Sequence, residues 1–381
     1  NLKLSFMRIA FTGGGTGGHL FPILAVAQEI KTLISANLFQ IPAGEGTNVE
    51  FMFVGPKTVG EETLAQEGII HKSIMAGKLR RYADWQNIFD ILKIPCGLVQ
   101  SLWHLFFFMP DVVFSKGGYG AIPVVLAAWI YRLPVIIHES DSEPGLTNKF
   151  CASFSRRVAI SFESAAKYFP PAKTALTGNP VRSSLFGGTK EAAKKLFGLT
   201  ETKPVILILG GSQGAQAIND LVFTSLLLIT GRCEIIHQCG PSNYETIKQM
   251  LDGKTPSEYH LFPFLDNEQM RQAMTAADLI VARAGAGTIA EIAALGKPSI
   301  LIPLPNAAAD HQLKNAEEFA KSGATVIIEQ MNLTPHLFQS EIFSLLDKPD
   351  LLKKMSEDAK KFAHPDAAKL IAQEILNIAK Q

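Results

Sequence analysis

Two glycine-rich turns are the segments of this sequence whose residue types best suit a chemical role. The first reads Phe11-Thr-Gly-Gly-Gly-Thr-Gly-Gly-His19, and the second reads Leu209-Gly-Gly-Ser-Gln-Gly-Ala215. Each follows an apolar run and precedes a helical pattern. Glycines let the backbone adopt positive φ or approach a ligand closely, and the free N–H groups of a helix N-terminus attract phosphate. The turns therefore predict phosphate sites, with close backbone packing as the alternative.

A third segment, from Arg283 to Glu291, has the same position after an apolar run. Glu291 is expected about one to two turns into the following helix, where its carboxylate can accept hydrogen bonds from two ribose hydroxyls. The first turn is neither a dinucleotide fingerprint nor a P-loop. Three such turns at strand ends predict ligands outside the carboxyl ends of the strands.

Candidate general bases follow strands of the first half. His19 comes directly after the first turn, and an imidazole with its ordinary pKa titrates near neutral pH, so we predict it as the base. The alternative is a histidine that contacts phosphate or packs under the turn, and Glu139 is the second candidate. Glu139, Asp141 and Glu143 alternate in a loop, but the sequence has no Asp-x-Asp pair. We therefore expect hydrogen-bonded or solvated carboxylates, no metal and no cofactor, with a cation held by these three acids as the alternative.

Arg182 follows a segment, Gly178-Asn-Pro-Val, that interrupts the periodicity. Its guanidinium is predicted to grip two phosphate oxygens, the alternative being a surface ion pair. Because glycine and proline mark loops, residues 177–185 are expected to link two domains.

Short apolar runs that alternate with helical segments predict parallel sheets covered on both faces. The expected strands are 8–11, 49–54, 111–114, 135–138 and 157–160 in the first half, and 205–209, 234–238, 259–262, 279–282, 299–302 and 325–328 in the second. The fold class is therefore α/β, with two doubly wound domains at 7–180 and 181–365. A last helix, at about 366–381, is able to pack back on the first.

The composition is typical of a globular protein with a large core, because 47% of the 381 residues are hydrophobic and 19% are charged. A net charge of +1 argues against a general nucleic-acid binder. The four cysteines show no paired spacing and are expected as buried free thiols. The most apolar stretch, 121–137, contains two prolines and an arginine, and predicts a helix and a buried strand instead of a membrane span. No signal peptide is recognised before Met7.

The motifs, taken together and in order, resemble those of the MurG family of N-acetylglucosaminyltransferases, and the resemblance extends from Met7 over essentially the whole chain. The motifs that carry it are Gly14-Gly-Thr-Gly-Gly-His19, Gly117-Gly-Tyr119, His138-Glu139, Gly145-Leu-Thr-Asn148, Gly178-Asn-Pro-Val-Arg182, Gly210-Gly-Ser-Gln-Gly-Ala215, Arg283 to Glu291, and Asp310-His-Gln312.

The resemblance implies the GT-B architecture, in which two Rossmann-like domains face a central cleft and the second binds UDP-N-acetylglucosamine. It implies inverting transfer of N-acetylglucosamine to the C4 hydroxyl of undecaprenyl-linked N-acetylmuramyl-pentapeptide. The positions that it assigns are Arg182 and Ser212 at the diphosphate, the Leu265 backbone at uracil, Ala286, Gly287, Thr288, Ile289, Ala290 and Glu291 at the nucleotide, His311, Gln312 and Asp141 at the sugar, and Thr16, Gly17 and Gly18 at the reaction centre.

Two positions depart from the family pattern. His138-Glu-Ser-Asp141 stands where the family commonly has His-Glu-Gln-Asn, so Asp141 lacks the amide donor. His311 replaces a usual glutamine. Both changes bear on how the sugar hydroxyls are recognised, and neither alters a glycine turn.

A lipid-borne acceptor implies peripheral attachment at the cytoplasmic face of the plasma membrane. The segment 98–109 is unusually aromatic. With Lys78, Arg80 and Arg81 before it and Trp129 and Lys149 after it, the segment predicts a basic and apolar face for anionic lipid. The run from Phe106 to Phe108 itself is expected in the core, because it directly precedes a strand.

Other functions remain open at this point. A UDP-N-acetylglucosamine 2-epimerase or a natural-product glycosyltransferase would have a similar donor half, and the first-half loops distinguish them. A non-catalytic nucleotide-sugar-binding subunit is disfavoured by His19. A dinucleotide-dependent oxidoreductase has no support from the turn spacing.

Overall fold

The computed structural model describes residues 7–15, 17–36, 38, 49–57, 60–77, 86–200, 202–211, 214–305, 307 and 310–380, with the backbone alone at 86–92. Five of the residues singled out in the sequence lie outside this description: Thr16, Ser212, Lys78, Arg80 and Arg81. The chain divides into two compact units, residues 1–182 together with 364–381, and residues 183–363.

The first unit is built on a parallel seven-stranded sheet. Its strands are β1 (Met7–Thr12), β2 (Val49–Gly55), β3 (Ile69–Ser73), β4 (Val112–Ser115), β5 (Val135–Glu139), β6 (Arg157–Ile160) and β7 (Thr174–Leu176), in the order β3-β2-β1-β4-β5-β6-β7. The strands predicted for this half are all present, and the two edge strands β3 and β7 are additional. The order reverses between β1 and β4, which is where ligands bind in open α/β sheets.

Helices cover both faces of this sheet. They are α1 (Gly17–Ser35), α2 (Glu61–Gln66), α3 (Gln86–Phe108), α4 (Ala121–Ile130) and α5 (Leu146–Cys151). Alternate residues of β1 point to opposite faces: Ile9 and Phe11 join one core cluster with α1, whereas Ala10 joins another with α4. Burial on both faces explains why the central strands are continuous apolar runs.

The second unit contains a parallel six-stranded sheet in the order β10-β9-β8-β11-β12-β13. The strands are β8 (Val205–Leu209), β9 (Glu234–Gln238), β10 (Tyr259–Phe262), β11 (Leu279–Ala282), β12 (Ser299–Leu301) and β13 (Thr325–Ile327). The helices are α6 (Lys190–Phe197), α7 (Gln216–Thr230), α8 (Pro241–Leu251), α9 (Asn267–Ala276), α10 (Ala286–Ala294), α11 (His311–Lys321), α12 (Pro335–Leu346) and α13 (Pro349–Phe362). Here the order reverses between β8 and β11.

The last helix, α14 (Ala367–Ala379), belongs to the first unit although it follows the second in the chain. Its buried residues Ile371, Ile375 and Leu376 join the core cluster that contains Ile23 and Ile30 of α1. The helix therefore completes one face of the first sheet.

All four cysteines are free thiols. Three are buried, but Cys96 is exposed, so the expectation of burial is wrong for that residue. Among the described helices, none is both long and apolar enough to cross a membrane.

Candidate active site

The carboxyl ends of three neighbouring strands, β1, β4 and β5, bring the chemically distinctive residues of the first unit together. The first glycine turn follows β1, Lys116 with Gly117 and Gly118 follows β4, and Glu139 ends β5. The sheet order thus places segments that are far apart in sequence at one edge.

His19 lies in the first turn of α1, between two glycines from different loops. A Cβ at Gly14 would be 2.9 Å from its Nδ1, and a Cβ at Gly118, whose φ is +80°, would be 3.1 Å from its Nε2. These glycines therefore make room for the imidazole. Burial and the nearby Lys116 charge lower the pKa of His19 to about 4, so the expectation of an ordinary imidazole pKa is wrong.

Glu139 is 3% exposed and accepts hydrogen bonds on both carboxylate oxygens. Its Oε1 accepts from the Asp141 N–H at 2.9 Å, and its Oε2 accepts from the Gly145 N–H at 3.2 Å and from Nδ2 of Asn148 at 2.9 Å. Burial first, and then the Asp141 charge, raise the pKa of Glu139 to about 7. The carboxylate therefore organises the loop between β5 and α5 as well as being a candidate base.

His138 anchors the end of β5 to the segment that follows β7. Its Nε2 lies 3.0 Å from the Gly178 carbonyl oxygen and 3.3 Å from Oγ of Ser161. Burial lowers the pKa of His138 well below its ordinary value. A neutral imidazole that donates to Gly178 is consistent with this position.

Glu143, the third acid of the loop, has hydrogen-bond partners of its own. It accepts hydrogen bonds from Oη of Tyr168 at 2.6 Å and from Nζ of Lys149 at 3.2 Å. No group of three or more potential metal ligands occurs among the residues that the structure describes.

Arg182 is the last residue of the first unit before the chain enters the second, and its guanidinium lies 4.1 Å from the centre of the Phe21 ring. Cation–π stacking of this kind orients the planar group without consuming its N–H donors. The Phe21 ring of α1 therefore helps to orient Arg182.

In the second unit, the turn after β8 is shaped by contacts that exclude side chains. Gly211 and Gly214 have φ values of +83° and +82°. A Cβ at Gly214 would lie 2.2 Å from the Cys239 carbonyl oxygen. The glycine at 214 therefore lets the turn pack on the end of β9 just before α7 begins.

Gln238, at the end of β9, joins this turn to the loop that contains Leu265. Its Nε2 donates to the Gly211 carbonyl at 3.3 Å, and its Oε1 accepts from the Leu265 N–H at 3.0 Å. The next residue, Asp266, caps α9 in a reciprocal capping box with Gln269. The Leu265 backbone is thus held by the Gln238 amide at its own N–H and by the helix cap at the next residue.

The third segment opens α10, with Gly285 at its N-cap and Ala286 to Glu291 within its first two turns. Arg283 is part of the scaffold: its Nη1 donates to the Ile302 and Pro303 carbonyls at 3.1 and 3.2 Å. His311 and Gln312 begin α11, and Oε1 of Gln312 accepts from the Leu304 N–H at 3.0 Å. The N-termini of α7, α10 and α11 thus follow the three adjacent strands β8, β11 and β12.

Family models and relatives agree with this geometry. The glycosyltransferase family 28 N-terminal domain matches residues 9–160, and the family 28 C-terminal domain matches residues 205–371. A UDP-N-acetylglucosamine--N-acetylmuramyl-(pentapeptide) pyrophosphoryl-undecaprenol N-acetylglucosamine transferase from Bacillus cytotoxicus is 35% identical over 378 residues, which are 98% of this chain and 100% of that protein. The protein of the same name from Listeria welshimeri is 36% identical over 377 residues, with 98% and 100% covered. This chain belongs to the MurG family.

Solved structures agree with the family and the fold. Acinetobacter baumannii MurG has a TM-score of 0.72 and 28% identity, over 97% of this chain and 99% of that one. A UDP-GlcNAc 2-epimerase from Neisseria meningitidis has a TM-score of 0.66 at 15% identity, over 97% of this chain and 100% of that one, which is a likeness of fold alone. The GT-B fold class predicted from the sequence is confirmed, with two doubly wound domains of parallel sheet.

The predicted site residues fall into two groups, one in each unit. Gly17, Gly18, His19, Glu139, Asp141 and Arg182 lie in the first unit, and Leu265, Ala286 to Glu291, His311 and Gln312 lie in the second. Thr16 and Ser212 fall outside the described residues. Their individual roles stay predictions.

Two residues beside the glycine turns, Lys116 and Gln238, were not predicted from the sequence. Each is a polar residue at the end of an apolar strand, next to a glycine turn: Lys116 precedes Gly117, and Gln238 closes β9. That pattern is the signal that could have found them.

An exposed apolar surface of the first unit, which we name the aromatic face, spans α3, α4 and α5. Its members are Val99, Trp103, Phe106, Phe107, Met109, Trp129, Ile130, Tyr131, Leu146 and Phe150. Phe106 and Phe107 are 58% and 62% exposed, so the prediction of a core position is wrong for both, whereas Phe108 packs partly against the core. Phe106 and Tyr131 are in ring contact, with centroids 6.4 Å apart, and link α3 to the end of α4.

Proposed function

We propose that this chain transfers N-acetylglucosamine from UDP-N-acetylglucosamine to the C4 hydroxyl of undecaprenyl-linked N-acetylmuramyl-pentapeptide, in peptidoglycan synthesis. The observation that carries the proposal is the full-length match to proteins named for this reaction, at 35–36% identity. The glycine turns at the carboxyl ends of both sheets add physical support, because they supply helix N-termini for diphosphate groups.

The second unit is proposed to hold the donor. Ala286, Gly287 and Thr288 would offer backbone N–H groups at the start of α10, ahead of the Ile289 N–H, which donates to the Gly285 carbonyl at 3.0 Å. Ile289 and Ala290 would line the nucleotide, and Glu291 would accept from the ribose hydroxyls. Because the Leu265 N–H already donates to Gln238, the Leu265 carbonyl is the group proposed to meet the uracil N3–H. Ser212 and Arg182 are proposed at the diphosphate, and His311 and Gln312 at the sugar.

The first unit is proposed to take the acceptor and supply the base. In an inverting displacement the acceptor oxygen forms the new bond to the anomeric carbon, UDP leaves from the opposite face, and the base takes the hydroxyl proton. His19 is proposed for that role, since Glu139 has both oxygens occupied by three N–H donors. Thr16, Gly17, Gly18 and Asp141 are proposed to line the same region.

The aromatic face is proposed to bind the cytoplasmic surface of the plasma membrane. Ten exposed apolar side chains on three consecutive helices and the residues that follow them are typical of a surface that binds a partner or a membrane. Basic residues near its members, including Arg132 and Lys149, favour anionic lipid. Vesicles with about 30% anionic lipid should retain the protein in flotation, and Phe106→Ser with Phe107→Ser should reduce retention. Equal retention of both proteins would contradict this assignment.

The decisive experiment incubates the protein with labelled UDP-N-acetylglucosamine and the lipid-linked muramyl-pentapeptide. We expect label in a lipid-extractable disaccharide product together with stoichiometric UDP. A soluble 2-epimer of the sugar nucleotide, or UDP release without a lipid product, would instead indicate one of the enzymes that share the fold.

A further inference from the structure

Lys116 is a cationic residue that is buried at the carboxyl end of β4. It follows β4, is 2% exposed, and its Nζ has no partner among the residues that the structure describes. An ammonium group buried without a partner is strongly unfavourable. Binding of an anionic group beside Nζ would offset part of this cost.

The charged and titratable groups around Lys116 come from several elements. They are His19 on α1, His138 and Glu139 on β5, and Asp141 in the following loop. The Glu139 carboxylate attracts the ammonium group electrostatically, but its oxygens accept hydrogen bonds from Asp141, Gly145 and Asn148. Burial outweighs both acids and lowers the pKa of Lys116 to about 8, so the ammonium persists at neutral pH at a net cost.

The location of Lys116 points to an anion. Its Cβ lies 3.5 Å from the position that a Cβ on Gly13 would take, so it packs beside the turn that leads into α1. That helix is 19 residues long and begins at Gly17, and the N–H groups of its first turn carry a partial positive charge. A buried ammonium and a helix N-terminus at one place suit a ligand with several negatively charged oxygens.

We propose that Lys116 binds a phosphate oxygen of a diphosphate-bearing substrate at the N-terminus of α1. The proposal deepens and rests on the proposed function, in which both substrates contain a diphosphate. The oxygen belongs either to the pyrophosphate of the acceptor or to the UDP group of the donor, and the affinities for the two ligands distinguish these sources.

The test compares Lys116→Met, Lys116→Arg and the control Lys167→Met. Lys167 is an exposed lysine of the same unit, with its Nζ 5.0 Å from the centre of the Tyr168 ring. Calorimetric titration with inorganic pyrophosphate and with UDP, and KM values for both substrates, are measured for each. Loss of one charge-assisted hydrogen bond should weaken diphosphate binding at least about tenfold in Lys116→Met. Lys116→Arg should recover part of it, and Lys167→Met should match the wild type.

Thermal stability separates a ligand-binding role from a structural one. Methionine has a similar shape and no charge, so Lys116→Met is expected to melt at the same or a higher temperature without ligand. Because the folded pKa of about 8 lies below the unfolded value of 10.5, the wild type should gain stability relative to this variant as pH rises between these values. A structural lysine would instead give a lower melting temperature in the variant.

The affinities and KM values of Lys116→Met either assign the bound phosphate to one substrate or overturn the proposal. A raised acceptor KM and weakened pyrophosphate binding, with unchanged UDP affinity, assigns the acceptor; weakened UDP binding assigns the donor. Unchanged affinities for pyrophosphate, UDP and both substrates in Lys116→Met would overturn the proposal. If the wild type shows no transfer yet binds pyrophosphate through Lys116, the proposed function fails and the site stands.

Discussion

His19 and Glu139 have exchanged their ordinary order of basicity. A free imidazole is more basic than a carboxylate, but here burial lowers the pKa of His19 to about 4 and raises that of Glu139 to about 7. Burial disfavours the charged form of each, which is the cation for one and the anion for the other. The two candidate bases therefore give different pH dependences.

We expect the rate profile to identify His19. If His19 takes the proton, it is already neutral above about pH 4, so kcat/KM should show no acid limb from the base near pH 7. His19→Ala should lower kcat about 10²–10⁴-fold with nearly unchanged UDP affinity. The measurement is kcat/KM for the acceptor from about pH 5 to 9, in the wild type, in His19→Ala and in Glu139→Gln. An acid limb near pH 7 that vanishes in Glu139→Gln would assign the base to Glu139 instead.

For single residues, the sequence predicts the positions of the candidate bases better than it predicts their pKa values. His19 was recognisable from its place after a glycine turn, and Glu139 from its place after a strand. Their pKa values depend on burial and on charges from other strands, such as Lys116 acting on His19. Such neighbours are set by the sheet order, which local spacing does not contain.

Among the secondary-structure elements, the central strands were predictable because they are buried on both faces. The missed strands, β3 and β7, lie at the edges of the first sheet, where one side is unpaired. β3 reads Ile-Ile-His-Lys-Ser and β7 has three residues, so neither is a continuous apolar run. The prediction of burial at the end of α3 was wrong for a related reason. A helix that precedes a strand still has a solvent-exposed side, and Phe106 and Phe107 lie on that side.

Contact between two glycine turns gives a prediction for the first unit. A Cβ at Gly118 would be 2.9 Å from the Gly14 backbone, and φ of +80° is strained for alanine. Gly118→Ala should therefore destabilise the protein by about 1–3 kcal/mol and displace His19, lowering kcat. Urea unfolding and steady-state kinetics measure both. The control is Gly231→Ala, where a Cβ meets nothing within 4 Å; equal behaviour of the two variants would refute the packing argument.

The Gln238 bridge gives a prediction for the second unit. Gln238→Met keeps the volume but leaves the Leu265 N–H and the Gly211 carbonyl without this partner. We expect a destabilisation of about 1–3 kcal/mol and a raised donor KM, with the acceptor KM unchanged. Gln339→Met removes a half-buried amide of α12, whose Nε2 donates to the Leu228 carbonyl at 3.4 Å, and serves as control. A donor KM equal to that of the wild type would show that the bridge does not position the nucleotide.

For the molecule as a whole, the first unit depends on residues that come last in the chain. Ile375 of α14 is fully buried in the core cluster of the first sheet, so Ile375→Ala should cost about 2–5 kcal/mol. Hydrogen exchange should accelerate in β1 and not in β8. Leu370→Ala changes an exposed residue of the same helix and should leave both strands protected. Equal acceleration in β8 would indicate that the two units do not open independently.

The return of α14 also sets an order for biosynthesis. A ribosome finishes residues 183–363 before it adds the helix that completes the first unit. At about 5–20 residues per second, this interval lasts roughly 10–40 seconds. During that time the apolar side of α1 in the nascent first unit lacks its final cover, and at the end of it the second unit is complete while the first is not. The part of the protein that is translated first is therefore the last to be finished.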